Sequence, residues 1–231
     1  KGSPTRLFNR LSGRVHSYTQ DSLIRQYLLF QRGDKVDPFL LADSELMLRH
    51  LEFINDVRIV VVPLEGSGER VAIVVETRDR WPFGIAGKFK DVDWYEGSFL
   101  LSNIGGQGIR FDNKLLYRRD FEPEVGYRGT LSKQNIAGTF IRVDLEYEDS
   151  WRELRRYAGV NRNLEHPGII WVGGIDASYT DDRNYGDDPR KFKQADGWLG
   201  HTIRLDERPA DQTVARKVLD AVSAEMANEI Q

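Results

Sequence analysis

Residues 138–149 read GTFIRVDLEYED, and this pattern suits an extended backbone far better than a helix. Ile141, Val143, Leu145 and Tyr147 fall on one side of such a chain, and Arg142, Asp144, Glu146 and Glu148 on the other, because successive strand side chains point to opposite faces. The apolar side suits a protein core or hydrocarbon equally. The charged side suits bulk water or a wet channel. The alternation returns through Ile109, Phe111, Leu115 and Tyr117, then through Ile169, Trp171, Ile175, Ala177 and Tyr179, and more weakly through Leu199, Ile203 and Leu205. Polar stretches separate these runs: RRDFEPE, LSKQN, EDSWRELRR and DDRNYGDDPRKFKQAD. From Trp81 onward the sequence therefore predicts about six or seven strands of roughly 8 to 12 residues, long for ordinary sheets.

The first third reads differently. TQDSLIRQYLLFQRGD offers Thr19 or Ser22 as a helix start, an apolar stripe at Leu23, Ile24, Tyr27 and Leu28, and Gly33 as a stop. In DPFLLADSELMLRHLEF, Asp37 is placed to cap a second helix and Pro38 to occupy its first turn, where a missing N–H costs nothing. Leu40, Leu41, Met47, Leu48 and Leu51 would form the buried face. Two β-branched runs joined by Gly-Ser-Gly then predict a hairpin, with Val57, Ile59, Val61, Val71, Ile73 and Val75 along it. Helical spacing at Leu7, Phe8, Leu11 and Val15 precedes this layer. Val214, Val218, Val222 and Met226 predict a weakly amphipathic helix near the end of the sequence.

The net charge of -3 gives no electrostatic reason to expect nucleic acid, which needs concentrated basic charge. Cysteine is absent, which excludes disulfides and thiol chemistry and suits both a reducing compartment and a secreted bacterial protein. No apolar run approaches the roughly 20 residues of a membrane-spanning helix. Barrel strands need only about 9 to 11 alternating residues, so hydropathy is silent about them. The opening KGSPTRLF lacks an initiator Met, and we expect a piece of something longer or a processed product.

Candidate chemical sites each have a plain alternative. Asp144, Glu146 and Glu148 lie on one strand face, where two carboxylates could flank a sugar bond, but nearby Arg142 and Arg152 make a solvated ionic face equally natural. A calcium loop beginning at Asp182 would need an acid at its twelfth position, where Lys193 stands. GGQG lacks the helix and lysine of a phosphate loop; glycines opening a twisted strand account for it. His16, His50, His166 and His201 show no ligand spacing. Trp81, Trp94, Trp151, Trp171 and Trp198 recur near strand ends or faces, as in an interfacial girdle or in ordinary packing. No enzyme activity and no cofactor are expected.

The ordered combination LLF, Gly33-Asp34, an acid-Leu-x-Leu-Arg helix and a hairpin ending Arg78-Asp79-Arg80-Trp81 resembles a POTRA module of the BamA-like outer-membrane superfamily, the bacterial surface antigen family. SNIGGQGIRF is similar to that family's Asn-x-x-Gly-x-Gly entry into the barrel, here Asn103, Gly105, Gly106 and Gly108. The resemblance implies an α+β chain. Residues 1–80 would be a POTRA-like module lacking its first strand, residues 81–206 the N-terminal part of an antiparallel, long-stranded barrel sheet, and residues 207–231 an unassigned helix. It further implies a bacterial outer-membrane location with the module in the periplasm. Partners would be outer-membrane lipid, unfolded outer-membrane proteins and accessory assembly subunits. Ile141, Val143, Leu145, Tyr147, Ile169, Trp171 and Ile175 would face lipid. Val57, Ile59, Val61, Val71, Ile73 and Val75 would mark a strand-addition edge, with an insertion seam at Gly105 to Phe111. The alternative from another class is a soluble β-rich module that binds a lipid or apolar ligand.

Overall fold

In the computed structural model, which describes residues 18–64, 70–166, 168–183 and 190–203, a small layer of two helices over a hairpin sits at one end of a long antiparallel sheet. Helix α1 (Asp21–Arg25) follows Gln20, which provides no side-chain cap. Thr19 does not cap it either, because its amide and hydroxyl both donate to Asp79, at 2.8 and 2.7 Å. The helix ends well before Gly33, whose φ of 98° makes it a turn residue. Helix α2 (Pro38–Arg49) starts as the sequence predicts: the Asp37 carboxylate accepts from the Phe39 amide at 2.9 Å.

Strands β1 (Ile54–Pro63) and β2 (Val71–Asp79) pair antiparallel, with Ile59 opposite Val75 and Val61 opposite Ile73. Val57 sits among Leu23, Ile24, Tyr27, Leu48 and Leu51 in the buried apolar cluster, while Ile59 and Val75 pack against it. The Val57 side chain is therefore a core residue, and a partner adding to this hairpin would meet backbone there. Ser44 is buried within the layer with its hydroxyl satisfied: it donates to the Leu40 carbonyl at 2.6 Å and accepts from the Leu29 amide at 2.9 Å.

Eight strands follow: β3 (Phe83–Asp91), β4 (Trp94–Ile104), β5 (Ile109–Arg118), β6 (Val125–Lys133), β7 (Ile141–Asp149), β8 (Glu153–Arg162), β9 (Trp171–Asp182) and β10 (Arg190–His201). Each pairs with its sequence neighbours, and the order is linear from β3 to β10, so among the described residues the sheet is not closed and these two strands are its edges. Six or seven strands were expected. The difference arises where Gly84, Gly87, Gly126 and Gly129 interrupt the apolar alternation of β3 and β6, and where the polar stretch EDSWRELRR becomes the start of β8.

The expected insertion seam at Gly105 to Phe111 is also corrected. Ile109 to Phe111 belong to β5, which is paired on both sides by β4 and β6. The expected helices at Leu7 to Val15 and Val214 to Met226, the Gly-Ser-Gly turn, Leu205, and residues 184–189 of the calcium candidate lie outside the described residues.

Candidate functional site

Register determines which residues share a face of the sheet. Phe83, Leu101, Phe111, Leu131, Leu145, Ala158, Ala177 and Ala195 are successive partners across all eight strands. Three residues along each strand, the opposite face carries Lys114, Arg128, Glu148, Arg155 and Thr180 in a second such row. Burial of the two faces is the reverse of a soluble sheet's. Leu145 is 45% exposed and Ile175 67%, whereas Glu148 is 0% exposed. Ile141, Val143, Tyr147 and Trp171 stand on the same apolar face as Leu145 and Ile175. Ile169 does not. It precedes β9 and is 1% exposed within the cluster of the helical layer, because the β8–β9 turn folds it under that layer; its assignment to a lipid-facing set is corrected.

The charged face neutralises itself locally. Arg142 holds both oxygens of Asp144 at 2.8 to 2.9 Å. The Arg155 guanidinium lies 3.2 Å from Glu146, though not aligned for a hydrogen bond. Glu148 is paired by Arg128 and accepts from the Ser150 hydroxyl at 2.8 Å. Each of the three carboxylates considered for acid–base chemistry thus has its own arginine. Such charge-assisted pairing satisfies the carboxylates within the sheet itself.

The tryptophans divide between the two faces. Trp171 is exposed on the apolar side and makes an edge contact with His201 at 4.6 Å. Trp81 is exposed beside Phe83, at 5.8 Å. Trp94 and Trp198 pair with Arg118 and Gly174 on the charged side, and Trp151 is buried against Phe121. They do not form one continuous girdle. Of the histidines, His50 bonds the Leu46 carbonyl and His166 contacts the Phe140 ring at 4.8 Å.

Asn103, Gly105, Gly106 and Gly108 form the β4–β5 turn, and all four have positive φ, a region that L-residues other than Asn and Gly rarely adopt. The Asn103 carboxamide joins both halves of the molecule. Its oxygen accepts from the Gly108 amide at 2.8 Å, and its nitrogen donates to the Thr19 hydroxyl at 2.7 Å. Gln20 adds two bonds, its amide to the Gly106 carbonyl at 3.0 Å and its side chain to the Gly105 carbonyl at 2.9 Å. A Cβ on Gly106 would collide with the Tyr18 carbonyl, and one on Gly108 would crowd Leu23 and Phe53.

A second turn, between β6 and β7, repeats this construction. Asn135 is buried, has positive φ, accepts from the Phe140 amide at 2.9 Å and donates to the Gln26 carbonyl at 3.0 Å. Ala137, Gly138 and Phe140 hold positive φ where the first turn has Gly105, Gly106 and Gly108. The signal stands in the sequence as an internal repeat that alternation alone does not reveal: Asn-Ile-Gly-Gly-Gln-Gly-Ile-Arg-Phe-Asp from Asn103 recurs as Asn-Ile-Ala-Gly-Thr-Phe-Ile-Arg-Val-Asp thirty-two residues later. Arg110 with Asp112 and Arg142 with Asp144 are the corresponding ion pairs, and Arg110 also reaches Glu52 of the helical layer. Phe140 replaces a glycine at a strained backbone position and packs edge-on against Tyr27 at 6.2 Å, so its apolar contact offsets the conformational cost.

Two cavities lie at this junction. One of about 310 Å³ opens on the charged side beside Glu52, Asn103, Arg110 and Arg142. The other, of about 260 Å³, lies between Tyr27, Met47, His50, Leu51, Gln134 and Glu165. Burial raises the pKa of the Glu165 carboxyl and Arg142 opposes the shift.

No protein-family model and no curated protein matches the sequence. Among solved structures, the chain is similar to the crystal structure of BamA from Haemophilus ducreyi lacking POTRA domains 1-3, with a TM-score of 0.50 and 14% sequence identity over 83% of this chain and 43% of that one. The chain thus spans less than half the length of that BamA chain, and at this identity the likeness is one of fold: a mostly antiparallel sheet arranged like part of the BamA barrel.

Proposed function

We propose that the chain is a segment of a BamA-like component that assembles or translocates proteins at the bacterial outer membrane, with the β3–β10 sheet in the bilayer and the helical layer, POTRA-like, on the periplasmic side. The observation that carries this reading is the inverted burial, with Glu148 enclosed and Leu145 and Ile175 bare. That is how a membrane barrel divides lipid from lumen. Strands of 9 to 12 residues rise about 30 to 40 Å along their own axes, which at the usual tilt spans an apolar band of about 25 Å. A soluble module sequestering an apolar ligand would need the reverse arrangement.

The work done is non-catalytic strand addition. Unpaired backbone groups on the hairpin β1–β2 and on the sheet edges β3 and β10 offer donors and acceptors to an extended segment of an unfolded outer-membrane protein. Accessory assembly subunits would engage the helical layer, and no nucleic acid is involved.

The test is partitioning. The chain, refolded with and without phospholipid vesicles, is followed by flotation and by protease protection of the sheet. Co-flotation with protected strands is expected. Recovery as a compact soluble monomer that ignores vesicles would overturn the reading.

A further inference from the structure

The apolar face of the sheet is not uniform along its width. In β3, β4 and β5 its residues, from Phe83 to Phe89, Tyr95 to Leu101 and Phe111 to Tyr117, include no charge. In β7 to β10 one row of partners on this face is Tyr147, Arg156, Tyr179 and Lys193. Arg156 and Lys193 are both exposed, and neither has an ion pair among the described residues.

The row lies close to the end of the sheet remote from the helical layer, near the ends of β7 at Asp149 and β9 at Asp182 and the starts of β8 at Glu153 and β10 at Arg190. On its inner side the next row, Leu145, Ala158, Ala177 and Ala195, is wholly apolar. On its outer side the acids are already matched: Asp149 by Arg183 at 2.8 Å, and Asp181 by Lys191 at 3.8 Å. Two cations with no ion-pair partner among the described residues therefore stand where the apolar surface stops. Arg156 and Lys193 flank Tyr179 from two adjacent strands, so their backbones are about 10 Å apart. Their long stems allow both charges to reach the boundary with the methylenes along the apolar face.

Taking the membrane reading above as given, we propose that Arg156 and Lys193, with the hydroxyl of Tyr179, form a binding site for the phosphate of an anionic lipid headgroup in the leaflet remote from the helical layer, while the Tyr147 hydroxyl donates to Asp149 at 3.4 Å. Charge complementarity selects the occupant. A zwitterionic headgroup would bring its own cation to the patch, whereas a phosphate monoester or an anionic glycerophosphate would bring negative charge and no cation. Tyrosines at the boundary level add an amphipathic rim. The uncharged β3–β5 side has no such preference.

The experiment uses the full chain folded into nanodiscs of phosphatidylcholine alone, or with phosphatidylglycerol or lipid A added, and measures bound lipid by native mass spectrometry. The parent chain is compared with Arg156→Gln/Lys193→Gln and with a control of equal charge change in the hairpin, Arg58→Gln/Arg78→Gln. The expected result is that all three insert, that the parent and the control retain lipid A preferentially, and that the Arg156/Lys193 variant loses on the order of tenfold in that retention. Millimolar inorganic phosphate should not displace the lipid. Equal retention by the parent and the Arg156/Lys193 variant would overturn the site, and full displacement by free phosphate would overturn its assignment to a lipid. Failure of the parent to enter any bilayer would overturn the membrane reading itself, a distinct outcome.

Discussion

In the helical layer Leu48 is 0% exposed and the charged residues lie outside; in the sheet Glu148 is 0% exposed and Leu145 and Ile175 lie outside. The two halves of one chain obey opposite burial rules, although both are written with ordinary amphipathic patterns. The layer has water on its far side and a core beneath it, so the hydrophobic effect gathers its apolar side chains inward. The sheet satisfies its ionic face by local pairing, Arg128 with Glu148 and Arg142 with Asp144, and leaves large apolar side chains such as Leu145 and Ile175 exposed on the other. Under the proposed membrane placement these opposite rules correspond to two solvents, joined at Asn103 and Asn135.

The sharpest way to break this contrast is to truncate one leucine on each side of it. Leu48→Ala should destabilise the helical layer by about 2 to 5 kcal/mol through lost burial and a residual cavity, read by denaturant unfolding of the layer. Leu145→Ala should change stability in detergent by about 0.5 kcal/mol or less. Equal costs would mean that the sheet's apolar face is a core.

Charge insertion tests the same point from the lipid side. Ile175→Arg should cost about 2 to 4 kcal/mol if the residue sits near the bilayer midplane, seen as reduced insertion into vesicles with unchanged unfolding of the helical layer. Unimpaired insertion would contradict the proposed orientation.

The junction is tested by Gly106→Ala. The new Cβ would meet the Tyr18 carbonyl at a backbone φ of 71°, and a left-handed L-residue alone costs about 1 to 2 kcal/mol. The expected result is faster amide exchange at Gln20 and through α1 while β6 to β9 stay protected. Loss of protection throughout the sheet would show that the two parts fold as a single cooperative unit.

The smallest effect expected is at Glu165. Its folded-state pKa is raised above the ordinary 4.5 by burial, so the folded protein binds this proton more tightly than the unfolded chain does. The contribution of Glu165 to stability is then fully present below pH 4.5 and is lost as pH rises through the raised value. Glu165→Gln should flatten that part of the Tm-versus-pH curve and leave neutral-pH stability equal or slightly higher. An unchanged slope would remove Glu165 from the account of the junction.

Much of the architecture was legible in the chain. Asp37 and Pro38 announced α2, β-branched runs announced the hairpin, and the strict alternation of residues 141 to 149 announced β7, because each signal is local and has a period that belongs to one backbone conformation. Legibility failed where glycines diluted the alternation in β3 and β6. It failed again at Thr19, whose capping chemistry was diverted to Asp79, a partner sixty positions away. The repeat from Asn103 to Asn135 was present to be read, but its meaning, two turns clamped to one helical layer, depends on contacts that no local pattern encodes.

Alternation determined that these strands have one apolar and one ionic face, since that follows from pleating alone. Only the tertiary structure decided which face is enclosed and that Ile169 leaves its apparent set to fill the layer's core. The register across eight strands also brought Arg156, Tyr179 and Lys193 into one row. Each of these depends on how distant segments meet, and a periodicity of two carries no information about what lies on the other side of a strand.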